Sequence, residues 1–224
     1  MTRSRPIAIA LDSGSTVSAL LCVPSEPRAI YLLAHGAGAG MHHPFMEAVA
    51  TGLSTRAIAT LRYQFPYMER GSRRPDSPQV CHETVRAAAR AALDHVPDVP
   101  LFAGGKSFGG RMTSQAQAAS ALPGVRGLIF LGFPLHPAKK PSIGRGEHLS
   151  EVRVPMLFLQ GTRDELADLT LLESVIERLG PLATLEKVDA ADHSFHVLAR
   201  SGRKDPDVLN QVLDSLATWV FAHA

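Results

Sequence analysis

Short apolar runs alternate with segments whose apolar positions recur at helical spacing, from about residue 29 to the C-terminus. Apolar runs at 30–34, 58–63, 100–103, 127–131, 156–160 and 183–188 read as strands. Between them, 44–53, 81–95, 107–121 and 169–179 read as helices; in 81–95 the apolar or small face is Val85, Ala88, Ala89, Ala92 and Leu93. Strands alternating with helices in this way imply a parallel sheet covered on both faces. Two earlier runs, 7–11 and 17–23, flank Asp12-Ser13-Gly14-Ser15, which reads as the turn of an antiparallel hairpin.

The chain closes with a helix opened by Asp205-Pro206, read as a cap residue followed by proline at the first helical position. Its apolar face is Val208, Leu209, Val212, Leu216, Trp219 and Val220. Two connections stand out: a polar, basic loop over 64–77, and a long one over 133–150 that reads as at most a small lid. No repeat or low-complexity tract divides the chain. The expectation is a single domain over residues 1–224, three layers (α/β/α) around a mostly parallel sheet of about eight strands.

Composition narrows the function classes. Hydrophobic residues make up 45% and charged residues 20% of the 224, ordinary values for a globular protein. A net charge of +2 gives no argument for nucleic acid. The apolar run at 7–11 is too short for a secretory signal and ends at Asp12, and no stretch is long enough to span a membrane. A cytoplasmic protein with a small-molecule substrate is expected. The two cysteines, Cys22 and Cys81, lie in no CxxC pattern.

Gly105-Lys106-Ser107-Phe108-Gly109 fits G-x-S-x-G, with an apolar strand before it and a helix after it. In that context the serine sits on a sharp turn that lifts its hydroxyl above the sheet. Side chains two residues to either side would collide with the neighbouring strand and helix, hence the glycines. The helix N-terminus would then aim the Phe108 N–H at a developing oxyanion. Gly105-Lys106-Ser107 also looks like the end of a phosphate-binding loop. That motif needs a glycine where this chain has Pro100.

A serine nucleophile needs a base, and the base needs a carboxylate to fix its tautomer. Asp164 follows the strand at 156–160, and His193 follows the strand at 183–188, giving the chain order serine, acid, histidine. His196 is a rival base, and Asp168 and Asp192 are rival acids. The glycine-rich His35-Gly36-Ala37-Gly38-Ala39-Gly40 follows the strand at 30–34 and offers a second oxyanion N–H, from Ala37 or else Gly38. The ten histidines, among them His42, His43, His136 and His148, are scattered without HExxH or cysteine partners, so neither a metal nor a cofactor is expected. Arg70, Arg73 and Arg74 in one loop, and Lys139, Lys140 and Arg145 in another, follow strands on the side where Ser107 emerges. Arg73, Arg74, Lys139 and Lys140 are therefore candidate contacts for an anionic substrate, or else ordinary solvated charge.

The segments 33–40, 105–111, 161–164 and 192–195 together resemble the alpha/beta-hydrolase superfamily. The likeness is to its small, nearly lidless branch near dienelactone hydrolases, and within that to the group named for testis-expressed and NSL-complex subunit proteins. Phe65-Pro66-Tyr67-Met68-Glu69 and Gly132-Phe133-Pro134-Leu135-His136-Pro137 are similar to that group's segments. The resemblance spans about residues 17 to 222 and implies Ser107, Asp164 and His193 as a catalytic triad. It implies a serine hydrolase acting on an ester or thioester; the alternative is a hydrolase-fold module that only binds. Dienelactone hydrolases carry cysteine where this chain has Ser107, so their substrate does not transfer.

Overall fold

The computed structural model describes residues 4–224. Eight strands form one sheet in the order β1-β2-β4-β3-β5-β6-β7-β8. They are β1 (Arg5–Ala10), β2 (Thr16–Cys22), β3 (Ala29–Ala34), β4 (Ile58–Tyr63), β5 (Leu101–Lys106), β6 (Val125–Leu131), β7 (Met156–Gly161) and β8 (Ala183–Val188). β1 pairs antiparallel with β2 and β2 antiparallel with β4; every other pairing is parallel.

Burial follows position in the sheet. β3, β4 and β7 are buried along their whole length, as strands covered on both faces must be. The edge strands β1 and β8 have mostly half-buried or exposed positions. Alternate residues feed two cores. Tyr31, Leu33, Leu157 and Leu159 pack with α1 (Pro44–Ser54) and the C-terminal helix α6 (Asp205–Ala222). Leu32, Ala34, Phe130 and Phe158 pack on the other face with α3 (Pro78–His95), α4 (Phe108–Ala119) and α5 (Leu169–Leu179).

Several boundaries differ from those the pattern predicts. β5 runs three residues beyond the expected end at 103, through Gly104 and Gly105, because partners on both sides hold it extended: Ala34 pairs with Gly105, and Lys106 with Leu131. The 64–77 loop contains a short helix, α2 (Pro66–Glu69), whose Phe65 and Tyr67 flank are buried. α3 starts at Pro78, three residues before the predicted start, with proline in the first turn. The 133–150 connection carries a 3-10 helix, Gly144–Glu151, packed on α4. Asp205 is not the cap of the last helix. Lys204 holds that position, and the Asp205 carboxylate instead accepts from the Val197 N–H at 3.0 Å and pairs with His196.

The strand order places the site. From β3 the chain steps outward to β4, then returns across β3 to β5 on its other side. The order reverses between β3 and β5, and such a reversal leaves a crevice beyond the carboxyl ends of the two strands. The glycine-rich loop leaves β3 there, and Ser107 leaves β5 there.

Candidate active site

Ser107 joins β5 to α4 with φ 51° and ψ −116°, a conformation that L-residues with a side chain rarely hold. Gly105 and Gly109, two residues to either side, answer to one neighbour. A Cβ on Gly105 would lie 2.2 Å from the Ala34 carbonyl oxygen, and one on Gly109 2.6 Å from that of His35. Both obstacles belong to the end of β3 and the first residue after it. The turn is sharp because α4 folds back onto β3, and only glycine permits that approach.

The serine hydroxyl donates to His193 Nε2 at 2.8 Å, and His193 Nδ1 donates to Asp164 Oδ2 at 2.7 Å. The Asp164 side chain is wholly buried, while the imidazole keeps 24% of its surface exposed. Burial of a carboxylate demands partners, and Asp164 has them. Gln160 Nε2 donates to Oδ2 at 2.6 Å and the Leu166 N–H donates to Oδ1 at 2.8 Å. Gln160 is buried and accepts from the Phe133 N–H at 2.8 Å, so it ties the acid to the loop after β6. Sequence reasoning missed it. The available signal was a lone amide in the otherwise apolar Met156-Leu157-Phe158-Leu159-Gln160 run.

The rivals hold other positions. His196 faces solvent and pairs with Asp205 at 2.8 Å, each side chain 53% exposed. Asp192 Oδ1 accepts from the N–H groups of Ser194 and His196, folding the loop that carries His193. Asp168 caps α5 by accepting from the Leu171 N–H at 3.0 Å. His136 Nε2 accepts from the Asp168 N–H, and His148 Nε2 meets Ser114 Oγ. Among the described residues no group of three or more His, Cys, Asp or Glu side chains is set to hold a metal ion.

Beside the serine runs the loop from His35 to Gly40. A Cβ on Gly36 would lie 3.9 Å from that of Ser107. The Gly38 N–H donates to the Tyr67 hydroxyl and the Ala39 N–H to the Gly36 carbonyl. The Ala37 N–H has no partner among the described residues. Phe108 opens α4, where a helix has no carbonyl for its first N–H groups. Its ring lies edge-on to Phe65 and Tyr67, at 5.6 and 6.4 Å between ring centres. His35 anchors the loop from below. Its Nδ1 donates to the Gly36 carbonyl at 2.8 Å and its Nε2 accepts from the Phe65 N–H at 3.2 Å. Burial pushes its pKa down to about 4, so the ring is neutral.

Ser107, His193, Ala37 and Lys106 line one cleft of about 350 Å³, with Phe45 and Met46 as its apolar wall. A larger hollow of about 460 Å³, between the 3-10 helix and α5, contains none of these groups. Of the basic candidates, Arg73 comes near: its Cβ would be 3.8 Å from a Cβ on Gly38. Arg73, Arg74, Lys139 and Lys140 are all exposed and do not line the cleft, nor does any residue between 133 and 150. No helix among the described residues is long and apolar enough to cross a membrane.

Residues 27–221 match the family described as alpha/beta hydrolase domain. Among solved structures, the chain is similar to a lidless serine hydrolase from Xanthomonas campestris, with 22% identity over 98% of this chain and 96% of the other, TM-score 0.75. A dienelactone hydrolase from Anabaena variabilis aligns with 20% identity over 99% and 98%, TM-score 0.79. An alpha-beta serine hydrolase homologue from Coxiella burnetii aligns with 17% identity over 97% and 98%, TM-score 0.76. At these identities the likeness establishes the shared fold.

Proposed function

We propose, on the premise that this chain belongs to the alpha/beta hydrolase family, that it is a serine hydrolase cleaving a small ester or thioester. The observation that carries the reading is the continuous relay from Ser107 Oγ through His193 to the buried Asp164 carboxylate, at 2.8 and 2.7 Å. Asp164, as an ionised acceptor, fixes the proton on His193 Nδ1 and leaves Nε2 free to act as base. Nε2 takes the hydroxyl proton as Oγ bonds to the substrate's carbonyl carbon. The resulting oxyanion accepts from the Ala37 and Phe108 N–H groups. Collapse breaks the bond to the leaving group, which receives the proton from His193. Water, deprotonated by the same imidazole, then attacks the acyl carbon; the acyl–Oγ bond breaks, Oγ takes the proton back from His193, and the acid leaves.

Phe65 and Tyr67, which back the Phe108 ring, lie in one of the segments that resemble those of the testis-expressed and NSL-complex group. Placement nearest that group is part of this proposal. So are a single domain with at most a small lid at 133–150, a small-molecule substrate without nucleic acid or membrane, and a cytoplasmic setting.

Arg73, beside Gly38, favours an anionic group on the substrate, with Arg74, Lys139 and Lys140 adding long-range attraction. Matched neutral and anionic esters, compared at low and high salt, test this. The anionic ester is expected to be preferred at low salt and to lose that preference as screening grows. Charge reversal at the four positions is expected to raise KM for that ester alone. Equal effects on both esters would reduce the four residues to surface charge.

The reaction class is tested with a fluorophosphonate probe followed by peptide mapping. Labelling at Ser107, and turnover somewhere in a panel of p-nitrophenyl esters and acyl thioesters, is expected. An unlabelled, folded protein would leave a binding module as the reading.

A further inference from the structure

Lys106 fills the variable position before the serine, and its backbone is the last residue of β5, paired with Leu131. Its side chain forms part of the cleft wall. The ammonium donates to the backbone carbonyl of His193. It stands 5.8 Å from the centre of the Phe45 ring and 5.3 Å from that of Phe195, and those two rings stack 6.0 Å apart. Gly132 closes another side: a Cβ there would be 2.9 Å from Lys106 Nζ and 3.4 Å from the His193 ring. Among the described residues no other donor reaches the His193 carbonyl. The bonds that fold its loop run between Asp192 and His196, Phe195 and Asp192, and Arg163 and Ala191.

We propose that Lys106 is a positioning residue, whose ammonium pins the His193 peptide so that the imidazole faces Ser107 in one geometry. The proposal rests on reading Ser107 as nucleophile and His193 as base. Consecutive residues then grip His193 at two ends, Lys106 at the carbonyl and Ser107 at Nε2, while Asp164 holds Nδ1. The two bonds at the ring nitrogens alone would leave the His193 peptide free to shift, on a loop that emerges from an edge strand. A charge-assisted bond, sheltered by two aromatic faces, removes that freedom.

The same ammonium is itself ionisable. The charged groups facing Lys106 are Asp164, from the segment after β7, and Asp192, from the His193 loop; His43 lines the same cleft. Burial lowers the lysine to about 8, against the opposing pull of the two carboxylates. The cation is therefore complete well below pH 8 and is lost above it.

The test is the pH dependence of kcat and KM for the whole chain and for Lys106→Met, whose thioether keeps the stem packed between the rings. In Lys106→Met kcat is expected to fall about 100-fold with KM little changed, the scale of a misplaced catalytic group. The wild-type fall in kcat near pH 8 is expected to vanish. Lys106→Cys, measured before and after alkylation with bromoethylamine, restores an amine on nearly the lysine stem in an otherwise identical polypeptide. Both native cysteines are buried, and burial pushes the Cys81 thiol up to about 12, so the new thiol reacts first. Recovery of kcat, and of its fall near pH 8, on alkylation supports the proposal, and it stands in for Lys106→Met should that variant not fold. Wild-type kcat in Lys106→Met, with the fall near pH 8 still present, overturns it. So does a loss of kcat that alkylation does not repair. Ser107→Ala is run alongside: if it remains active, the reading of the site fails rather than the role of Lys106.

Discussion

At φ 51° and ψ −116°, Ser107 holds strain of about 1–3 kcal/mol that packing against β3 sustains. Ser107→Gly is therefore expected to be more stable than Ser107→Ala by about 1 kcal/mol, read from chemical denaturation, since only glycine relaxes at that position. Both are expected to lose turnover and probe labelling, by roughly 10⁴- to 10⁶-fold in kcat. His193→Ala is expected to match them, whereas His196→Ala, which breaks only an exposed pair with Asp205, should keep near-normal turnover. An inactive His196→Ala beside an active His193→Ala would exchange the two roles. Gln160 carries a different burden, because it bonds Asp164 and the Phe133 N–H from one buried amide. Gln160→Leu leaves both without that partner. The expected cost is about 1–3 kcal/mol of stability together with a drop in kcat, a combination absent from Ser107→Ala.

The elements matter through what they bring close. α4 approaches β3 so tightly that a single methyl group on Gly109 would meet the His35 carbonyl at 2.6 Å and the Ala34 side chain at 2.7 Å. Gly109→Ala is expected to destabilise the chain by roughly 1–3 kcal/mol and to displace the Phe108 N–H from its proposed oxyanion position. Urea unfolding and kcat, measured together, should fall in parallel; a neutral substitution would mean that α4 has room the structure does not show. α2 works from the other side of the same loop. Its Tyr67 takes the Gly38 N–H, which leaves Ala37 as the open donor, and its ring backs Phe108. A four-residue helix thus supports both halves of the proposed oxyanion site.

Across the whole molecule, the reversal of strand order between β3 and β5 opens a crevice at the edge of the sheet where the loops after those two strands emerge. The interior beneath that edge holds histidines in the neutral form. Burial lowers His35 to about 4 and, aided by Arg111 and His82, lowers His148 to about 4. In the unfolded chain both return to an ordinary value near 6.5. Below that pH the unfolded state binds more protons than the folded state, so stability is complete above about 6.5 and declines as pH falls towards 4. The expected slope is about 1.4 kcal/mol per pH unit for His35 alone once the unfolded ring is protonated. Denaturant midpoints between pH 7 and 4.5 measure it, and His35→Asn should flatten the profile. A wild type equally stable at both ends would show that these rings are protonated in the fold.

The elbow was readable in the chain because its requirements are local: a strand, four glycines around one serine, and a helix within ten residues. The fold class was readable for a similar reason, since central strands buried on both faces must be apolar throughout. Asp164 and His193 could be nominated as residues just past strand ends, but Asp168, Asp192 and His196 shared that description. Chain order and position already favoured Asp164 and His193; what occupies the rivals is visible only in the loop's own fold, in which Asp192 bonds back to Ser194 and His196 and Asp205 draws His196 outward. Gln160 and Lys106 were silent for a related reason. Their partners, Phe133 and His193, lie 27 and 87 residues away. Hydrophobic periodicity records whether a position is buried, and a motif records what its immediate neighbours must be. Neither records which strand lies beside which, and the lateral order of strands is what set these side chains against one another.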